Sequence, residues 1–153
     1  MINNNSAGQH GGGLYSFSNV ITIAGTVISN NAAGVAGDAI YASDGLTSLR
    51  NVTIASSNPM PYEAVYAENW PNLLFFDTTI TNHAVGVARS SNSWLGGNHN
   101  ALFSNGVDQT VDSVAQPLPF ANVVTTNPQF VDAAAGNFHL KSSSPLIDAG
   151  DPK

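Results

Sequence analysis

The sequence has no cysteine among its 153 residues. This absence excludes disulfide bonds, thiolate metal sites and a cysteine nucleophile. Charge is scarce too: Asp, Glu, Lys and Arg make up 9% of the chain, and four Lys and Arg against ten Asp and Glu give a net charge of −6 at pH 7. Because so few cations cannot neutralise a row of phosphates, we expect no nucleic-acid partner.

Long apolar runs are also missing, although 42% of the residues are hydrophobic. The chain therefore predicts no membrane span, which needs about 18 or more consecutive apolar residues. No charged segment followed by an apolar run opens the sequence, so a signal peptide would have to lie outside it. The negative charge disfavours a polyanionic glycan unless a divalent cation bridges the protein and the glycan, which makes Ca²⁺ a candidate. We expect no required cofactor.

The main feature that is present is an internal repeat. Isoleucines stand 26 residues apart (28−2, 54−28 and 80−54), at Ile2, Ile28, Ile54 and Ile80. Two further blocks recur at this or nearly this spacing: Leu14-Tyr15, Ile40-Tyr41 and Val65-Tyr66, and then Ile23, Leu49 and Phe75. Such a constant interval indicates one structural unit copied along an axis. Gly, Asn, Ser and Pro separate the blocks and favour turns.

A unit of three short strands cannot bury its apolar face alone, but coiling the chain pairs each strand with its copy in the next unit. We therefore predict an all-β fold, a right-handed parallel β-helix with three sheets and about four coils. The coils would span residues 1–126, and residues 127–153 would form a C-terminal closing segment of the same domain. An antiparallel sandwich is the alternative, but it predicts no fixed spacing.

The spacing loosens after Asn82. Residues 84–88 read as the next first strand, and Phe103 stands near the place where a further isoleucine is expected. Residues 106–126 lack the repeat and contain Pro117 and Pro119, so we interpret them as a long excursion over the surface.

Several blocks of the chain carry a resemblance to a known family. They are GGGLY (residues 11–15), VISNN (27–31), NPQFVD (127–132), GNFHL (136–140) and SSPLIDAG (143–150). The chain resembles the right-handed parallel β-helix repeat proteins of bacteria, in particular the C-terminal part of secreted pectate-lyase-like or chondroitinase-like members. The resemblance implies a secreted or cell-surface protein that deals with carbohydrate. The family includes lyases, hydrolases, esterases and adhesins, so the resemblance implies no single activity.

The resemblance also implies that the closing segment covers the last coil. Its apolar side chains would then plug the core: Phe130, Phe138, Leu140, Leu146 and Ile147.

A candidate binding surface is a row of tyrosines. Side chains alternate along a strand, so Tyr15, Tyr41 and Tyr66 would face outwards if their aliphatic neighbours face the core. Stacked on successive coils, they could offer a flat aromatic strip to sugar rings, and Trp70 and Trp94 could extend it. The alternative is a purely structural ladder, since stacked rings stabilise neighbouring strands by themselves.

Candidate catalytic residues are few. Asp38 and Glu63 occupy equivalent positions before the first strand of adjacent coils, and Glu68 follows in the next turn. Neighbouring carboxylates can share a proton for glycosidic chemistry or hold Ca²⁺, although most are simply solvated. Arg89, in the irregular coil, is the cation that a lyase could use.

These observations favour an extracellular, carbohydrate-directed module that binds or cleaves a polysaccharide or cell-surface glycan on its outer face. An enzyme of this kind would be a polysaccharide lyase or a glycoside hydrolase. The alternative is a non-catalytic stalk or adhesin, in which the ladders serve stability alone. A first coil with unpaired strand edges also predicts self-association through the N-terminal coil.

Overall fold

The computed structural model describes residues 1–151, which form strands and turns but no helix. The strands, in chain order, are β1 (Ile2–Asn3), β2 (Ser6–Ala7), β3 (Leu14–Ala24), β4 (Val27–Ser29), β5 (Ala32–Ala33), β6 (Ile40–Arg50), β7 (Thr53–Glu68), β8 (Asn72–Phe76), β9 (Thr79–Arg89), β10 (Trp94–Asn98), β11 (Ala101–Phe103), β12 (Val107–Val111), β13 (Val114–Ala115), β14 (Phe130–Asp132) and β15 (Asn137–Leu140). The prediction of an all-β fold is confirmed.

Parallel strands stack into a β-solenoid of about four turns, as the repeat predicted. The long strands β3, β6, β7 and β9 turn a corner of the coil, so each belongs to two of the three stacks. In the first stack Leu14 pairs with Ile40 and Ile40 with Val65. The second stack joins parts of β3 and β6 to β8 and β10.

The third stack holds the isoleucines. Ile2 pairs with Ile28, Ile28 with Ile54, and Ile54 with Ile80. Ile28, Ile54 and Ile80 have no exposed surface, because the strand alternation turns them inwards where each packs on its copy. The same alternation sends Leu49 and Phe75 of the second stack into the core.

Asparagine side chains tie one coil to the next at the turns. Asn31 accepts a hydrogen bond from the backbone N–H of Asn5 (3.0 Å) and donates one to the carbonyl oxygen of Ile2 (3.1 Å). Asn105 binds the backbone of His83 and Ile80 in the same way. These bonds satisfy backbone groups that a turn would otherwise leave unpaired.

The last coil departs from the predicted register. Leu102, not Phe103, continues the isoleucine stack: it pairs with Ile80 and is 1% exposed. Residues 107–111, predicted to be irregular, form β12, which pairs with β9 and begins a fifth coil. The prediction was wrong at both places because the interval in this coil is 22 residues, which places Leu102 and not Phe103 beside Ile80, and because β12 continues the first stack.

The core is closed by a different segment from the one expected. Leu118, Phe120 and Val123 pack against the core. The ring centroids of Phe120 and Phe75 lie 6.0 Å apart. Val124 pairs with Ala101 as a further partial rung. Residues 118–124 come soon after β13 and precede the closing segment in the chain, and they occupy the end of the core.

The closing segment lies along the flank of the solenoid instead. The rings of Phe130 and Phe138 pack edge to face, with their centroids 5.3 Å apart. Both rings and Leu146 line a cavity together with Thr53 and Thr79, which lie on the outer side of the third stack. The side chains of Leu140 and Ile147 are 38% and 45% exposed, so they do not plug the core. Residues 152–153 of the predicted segment lie outside the described residues.

The first coil leaves one edge of β3 without a strand partner within residues 1–151. No Asp, Glu, Lys or Arg occurs before Asp38, so this edge has none of the charges that commonly protect exposed strands. Self-association through this edge stays a prediction.

His83 is an ionisable residue enclosed by the fold. It is 4% exposed, and its Nδ1 lies 2.9 Å from the carbonyl oxygen of Thr81. Burial lowers the pKa of His83 from 6.5 to about 4, although the contact with Thr81 favours the charged form and opposes this shift.

We predict that His83 makes the fold sensitive to mild acid. The unfolded chain binds a proton at this histidine below pH 6.5 and the folded chain only near pH 4, so stability falls as the pH drops through this window. The loss should amount to ~3 kcal/mol. His83→Asn should flatten the slope of unfolding free energy against pH between 6.5 and 4, measured by urea denaturation. An identical slope in the two proteins would contradict the burial of a neutral histidine.

Candidate functional site

The three tyrosines form a stacked column on the outside of the first stack. Ring centroids of Tyr15 and Tyr41 lie 5.1 Å apart with planes 6° from parallel, and those of Tyr41 and Tyr66 lie 5.4 Å apart at 18°. The predicted column is confirmed, because the strand register pairs the three residues directly. Stacking occupies the ring faces between neighbours, so only the end rings can offer a face to a ligand.

Tyr41 in the middle of the column is closed off from solvent. It is 4% exposed, and the ring of His10 covers it with centroids 4.5 Å apart. Its hydroxyl donates a hydrogen bond to the carboxylate of Glu68, which also accepts one from the side chain of Asn69. Burial, and then the bond to Glu68, raise the pKa of Tyr41 well above its usual range. Tyr41 and Glu68 therefore brace the coil.

Asp38 holds a turn together from inside. Its side chain is fully buried, Oδ1 accepts a hydrogen bond from the backbone N–H of Ala33 (2.9 Å), and Oδ2 accepts one from that of Tyr62 (3.1 Å). Burial raises the pKa of Asp38, and the two N–H donors oppose that rise. Both oxygens are occupied and shielded, so the carboxyl group cannot approach a substrate in this conformation.

The far end of the tyrosine column opens into a small cleft, here called the outer cleft. Its volume is about 90 Å³. It is lined by Glu63, Tyr66, Ala88, Arg89, Thr110 and Asp112 among others. Ala88 pairs with Tyr66 on the next coil and has no ring to continue the column. The ring face of Tyr66 that points away from Tyr41 therefore borders the cleft.

Charged and polar groups surround this ring. Arg89 donates a hydrogen bond from Nη1 to the carbonyl oxygen of Ser93 (2.6 Å), and Asp112 accepts one at Oδ1 from the backbone N–H of Ser91 (3.0 Å). The bonds from Ser91 lower the pKa of Asp112, and the nearby Arg89 charge adds to this shift. Asp112 is therefore an ionised acceptor at neutral pH.

Glu63 and Tyr66 complete the wall of the outer cleft. One carboxylate oxygen of Glu63 lies 3.4 Å from the backbone N–H of Gly37, a long hydrogen bond. Burial raises the pKa of Tyr66, and the charges of Glu68, Glu63 and Asp112 raise it further. The phenol therefore stays protonated and can donate a hydrogen bond.

Two tryptophans lie exposed on the corner that follows the first stack. Trp70 is 70% exposed in the turn between β7 and β8. Trp94 begins β10 and is 55% exposed, and its six-membered ring fills the space where a side chain at Gly96 would lie. Because Gly96 has no side chain, the indole can rest against the strand and keep part of its surface in solvent.

The structure thus brings together three of the predicted site residues, Glu63, Tyr66 and Arg89, at one cleft. Asp38, Glu68 and Tyr41 are engaged elsewhere in the framework, and Tyr15 lies at the opposite end of the column, 53% exposed. Sequence reasoning missed Asp112, because it follows a strand in a segment predicted to be irregular. The signal available was the β-branched residues in 107–111, with valine at both ends.

Ca²⁺ is the candidate metal. Within residues 1–151 no three or more His, Cys, Asp or Glu side chains gather in a group that could hold a metal ion. The arrangement at the outer cleft can instead donate and accept hydrogen bonds beside an aromatic face.

Comparison of this chain with protein-family models, curated proteins and solved structures gave no match. The resemblance to parallel β-helix proteins is supported only at the level of the fold, by the stacked coils of the structure. In addition, no helix long and apolar enough to cross a membrane occurs in the described part of the chain.

We predict that Asp38→Asn destabilises the fold. The amide nitrogen that replaces one oxygen would face a backbone N–H, so a buried donor would lose its acceptor at a cost of about 1–3 kcal/mol. Thermal or urea unfolding measures this loss. Asp44→Asn is the matched control, because the Asp44 carboxylate accepts no hydrogen bond within residues 1–151. Equal stability of the two variants would contradict the bracing role of Asp38.

Proposed function

We propose that this protein is an extracellular carbohydrate-binding β-helix module that holds a polysaccharide at the outer cleft. The observation that carries the proposal is the free ring face of Tyr66 beside Glu63, Arg89 and Asp112. One side of a sugar ring consists of C–H groups that pack on an aromatic face, and its hydroxyls both donate and accept hydrogen bonds. The cleft offers a surface for the first and partners for the second.

The size of the outer cleft fits a contact with part of a chain. A volume of about 90 Å³ is small beside the ~300–1,000 Å³ typical of pockets that enclose a whole ligand. A polysaccharide would therefore insert the edge of one unit while its neighbours lie along the outer face of the solenoid. The exposed Trp70 and Trp94 are candidates for the contacts of those neighbours.

Binding without cleavage fits the acids that are present. Hydrolysis of a glycosidic bond needs a protonated carboxyl group as general acid, usually one with a raised pKa. Asp112 at the cleft has a lowered pKa, and Asp38, whose pKa is raised, is buried with both oxygens occupied. Neither of these two carboxyl groups is therefore suited to protonate a leaving group at the outer cleft, and the proposal is one of binding.

One observation favours the alternative function, a structural stalk or adhesin segment. The inner tyrosine, Tyr41, has both ring faces covered and its hydroxyl bound to Glu68, so the column stabilises the coils whether or not a ligand exists. In that case the exposed ends of the column would have no ligand.

We expect the wild-type protein to be retained by at least one polysaccharide in affinity electrophoresis or on a glycan array. Tyr66→Ala should weaken this retention about fivefold, since stacking on a ring contributes roughly 1 kcal/mol beyond its area. Tyr66→Phe keeps the ring and is the matched control, so it should retain most of the binding.

Failure of every glycan to bind would leave the stalk as the function. Binding that Tyr66→Ala does not weaken would place the site elsewhere on the molecule. Release of new reducing ends or of an unsaturated product would show cleavage and contradict a binding module.

A further inference from the structure

A second cleft lies at the C-terminal end of the solenoid, here called the end cleft. It is open to solvent and has a volume of about 470 Å³, within the range usual for small-molecule sites. Its lining includes Arg89, Gln109, Asp112, Gln116, Pro117 and Pro119. Arg89 and Asp112 also line the outer cleft, so the two clefts are neighbours.

Gln109 breaks the pattern of the first stack. The inward position that it occupies is aliphatic on every earlier coil: Leu14, Ile40, Val65 and Val87. Gln109 is 1% exposed, yet its Oε1 has no hydrogen-bond partner within residues 1–151. A buried amide without a partner costs folding free energy, so an aliphatic residue would suit the fold better here.

Arg89 breaks the pattern in the same place. It pairs with Ala67, and the earlier coils carry Ala42 and Ser16 at this position, all of them small and buried. Its Nη1 binds the carbonyl oxygen of Ser93, but its buried Nε has no partner within the described chain. The lining of the end cleft thus includes two residues that replace the small or aliphatic members of their stacks, and each carries a buried polar atom without a partner in the described chain, one a donor and one an acceptor.

These two groups define the ligand. A ligand with hydroxyl groups suits both, because a hydroxyl can accept a hydrogen bond, as Arg89 Nε requires, and can also donate one, as Gln109 Oε1 requires. A carboxylate can only accept and an ammonium group can only donate. Asp112 also lines the end cleft, and its negative charge offsets that of Arg89, which weakens the preference for an anion. Pro117 and Pro119 supply rigid apolar walls with a fixed backbone φ.

We propose that the end cleft binds a neutral polyhydroxylated ligand, namely one terminal sugar unit of a glycan. The inference rests on the proposed function, since a chain bound at the outer cleft could place its end here across Arg89. It adds a specificity site, because a cleft at the end of the solenoid recognises a chain terminus whereas the outer face can hold internal units.

The test is an NMR titration of the wild-type protein with methyl glycosides of neutral hexoses and, separately, with methyl glucuronide. We expect the neutral glycosides to shift the side-chain amide signals of Gln109 and the Nε–H signal of Arg89. Gln109→Leu, which restores the aliphatic stack, should fold at least as stably and bind about tenfold more weakly. Gln9→Leu, at an exposed position of the first coil, is the matched control and should bind as the wild type does.

A response to methyl glucuronide alone, or no response of either side chain to any glycoside, would overturn the inference. The wild-type signals decide this even if Gln109→Leu does not fold. Binding at the outer cleft is measured separately, as the retention of a polysaccharide that Tyr66→Ala weakens. Retention without a response at Gln109 would therefore remove only the end site, whereas loss of all retention would remove the proposed function.

Discussion

In-register stacking of the coils is the constraint on which the rest of this structure depends. Each coil must bring its residues back above those of the coil before, about 4.8 Å away, for the backbone hydrogen bonds to form. Once it does, like residues meet: isoleucine packs on isoleucine in the core and tyrosine on tyrosine outside. Asn31 and Asn105 then pin the turns of neighbouring coils by pairing with backbone groups of the coil below. Core, column and turns are therefore consequences of a single register.

The repeat made the fold predictable from the sequence. Equal intervals between Ile28, Ile54 and Ile80 carry the pairing directly, so three stacks and an outward tyrosine column could be predicted without any homologue. The prediction failed where the interval shortens to 22 residues, because Leu102 then takes the place expected for Phe103. The packing of Leu118 and Phe120 against the core was not predicted, because their segment lacks the repeat and so has no register from which its position could be inferred.

The candidate site was predictable only in part. Glu63, Tyr66 and Arg89 were recognised by residue type, but their meeting at one cleft follows from the pairing of β7, β9 and β12. Asp38 was also recognised by residue type, but it does not reach the cleft. Its equivalence to Glu63 in the repeat does not show that its side chain is buried inside a turn. The clefts arise where the ladders end: Ala88 takes the place of a tyrosine, and Gln109 that of an aliphatic residue. The repeat builds the framework, and its interruptions leave room for a ligand.

The stacking register can be tested directly because the chain has no cysteine of its own. Val20 pairs with Leu46 on the next coil, and Leu46 pairs with Asn72 on the one after. Residues on adjacent coils lie within the Cα distance that a disulfide can span, about 4.4–6.8 Å, whereas residues two coils apart are roughly 9.6 Å away. Under mild oxidation, Val20→Cys with Leu46→Cys should form an intramolecular disulfide, detected by mass spectrometry, and Val20→Cys with Asn72→Cys should not. A disulfide in the second pair and none in the first would contradict the coiled register.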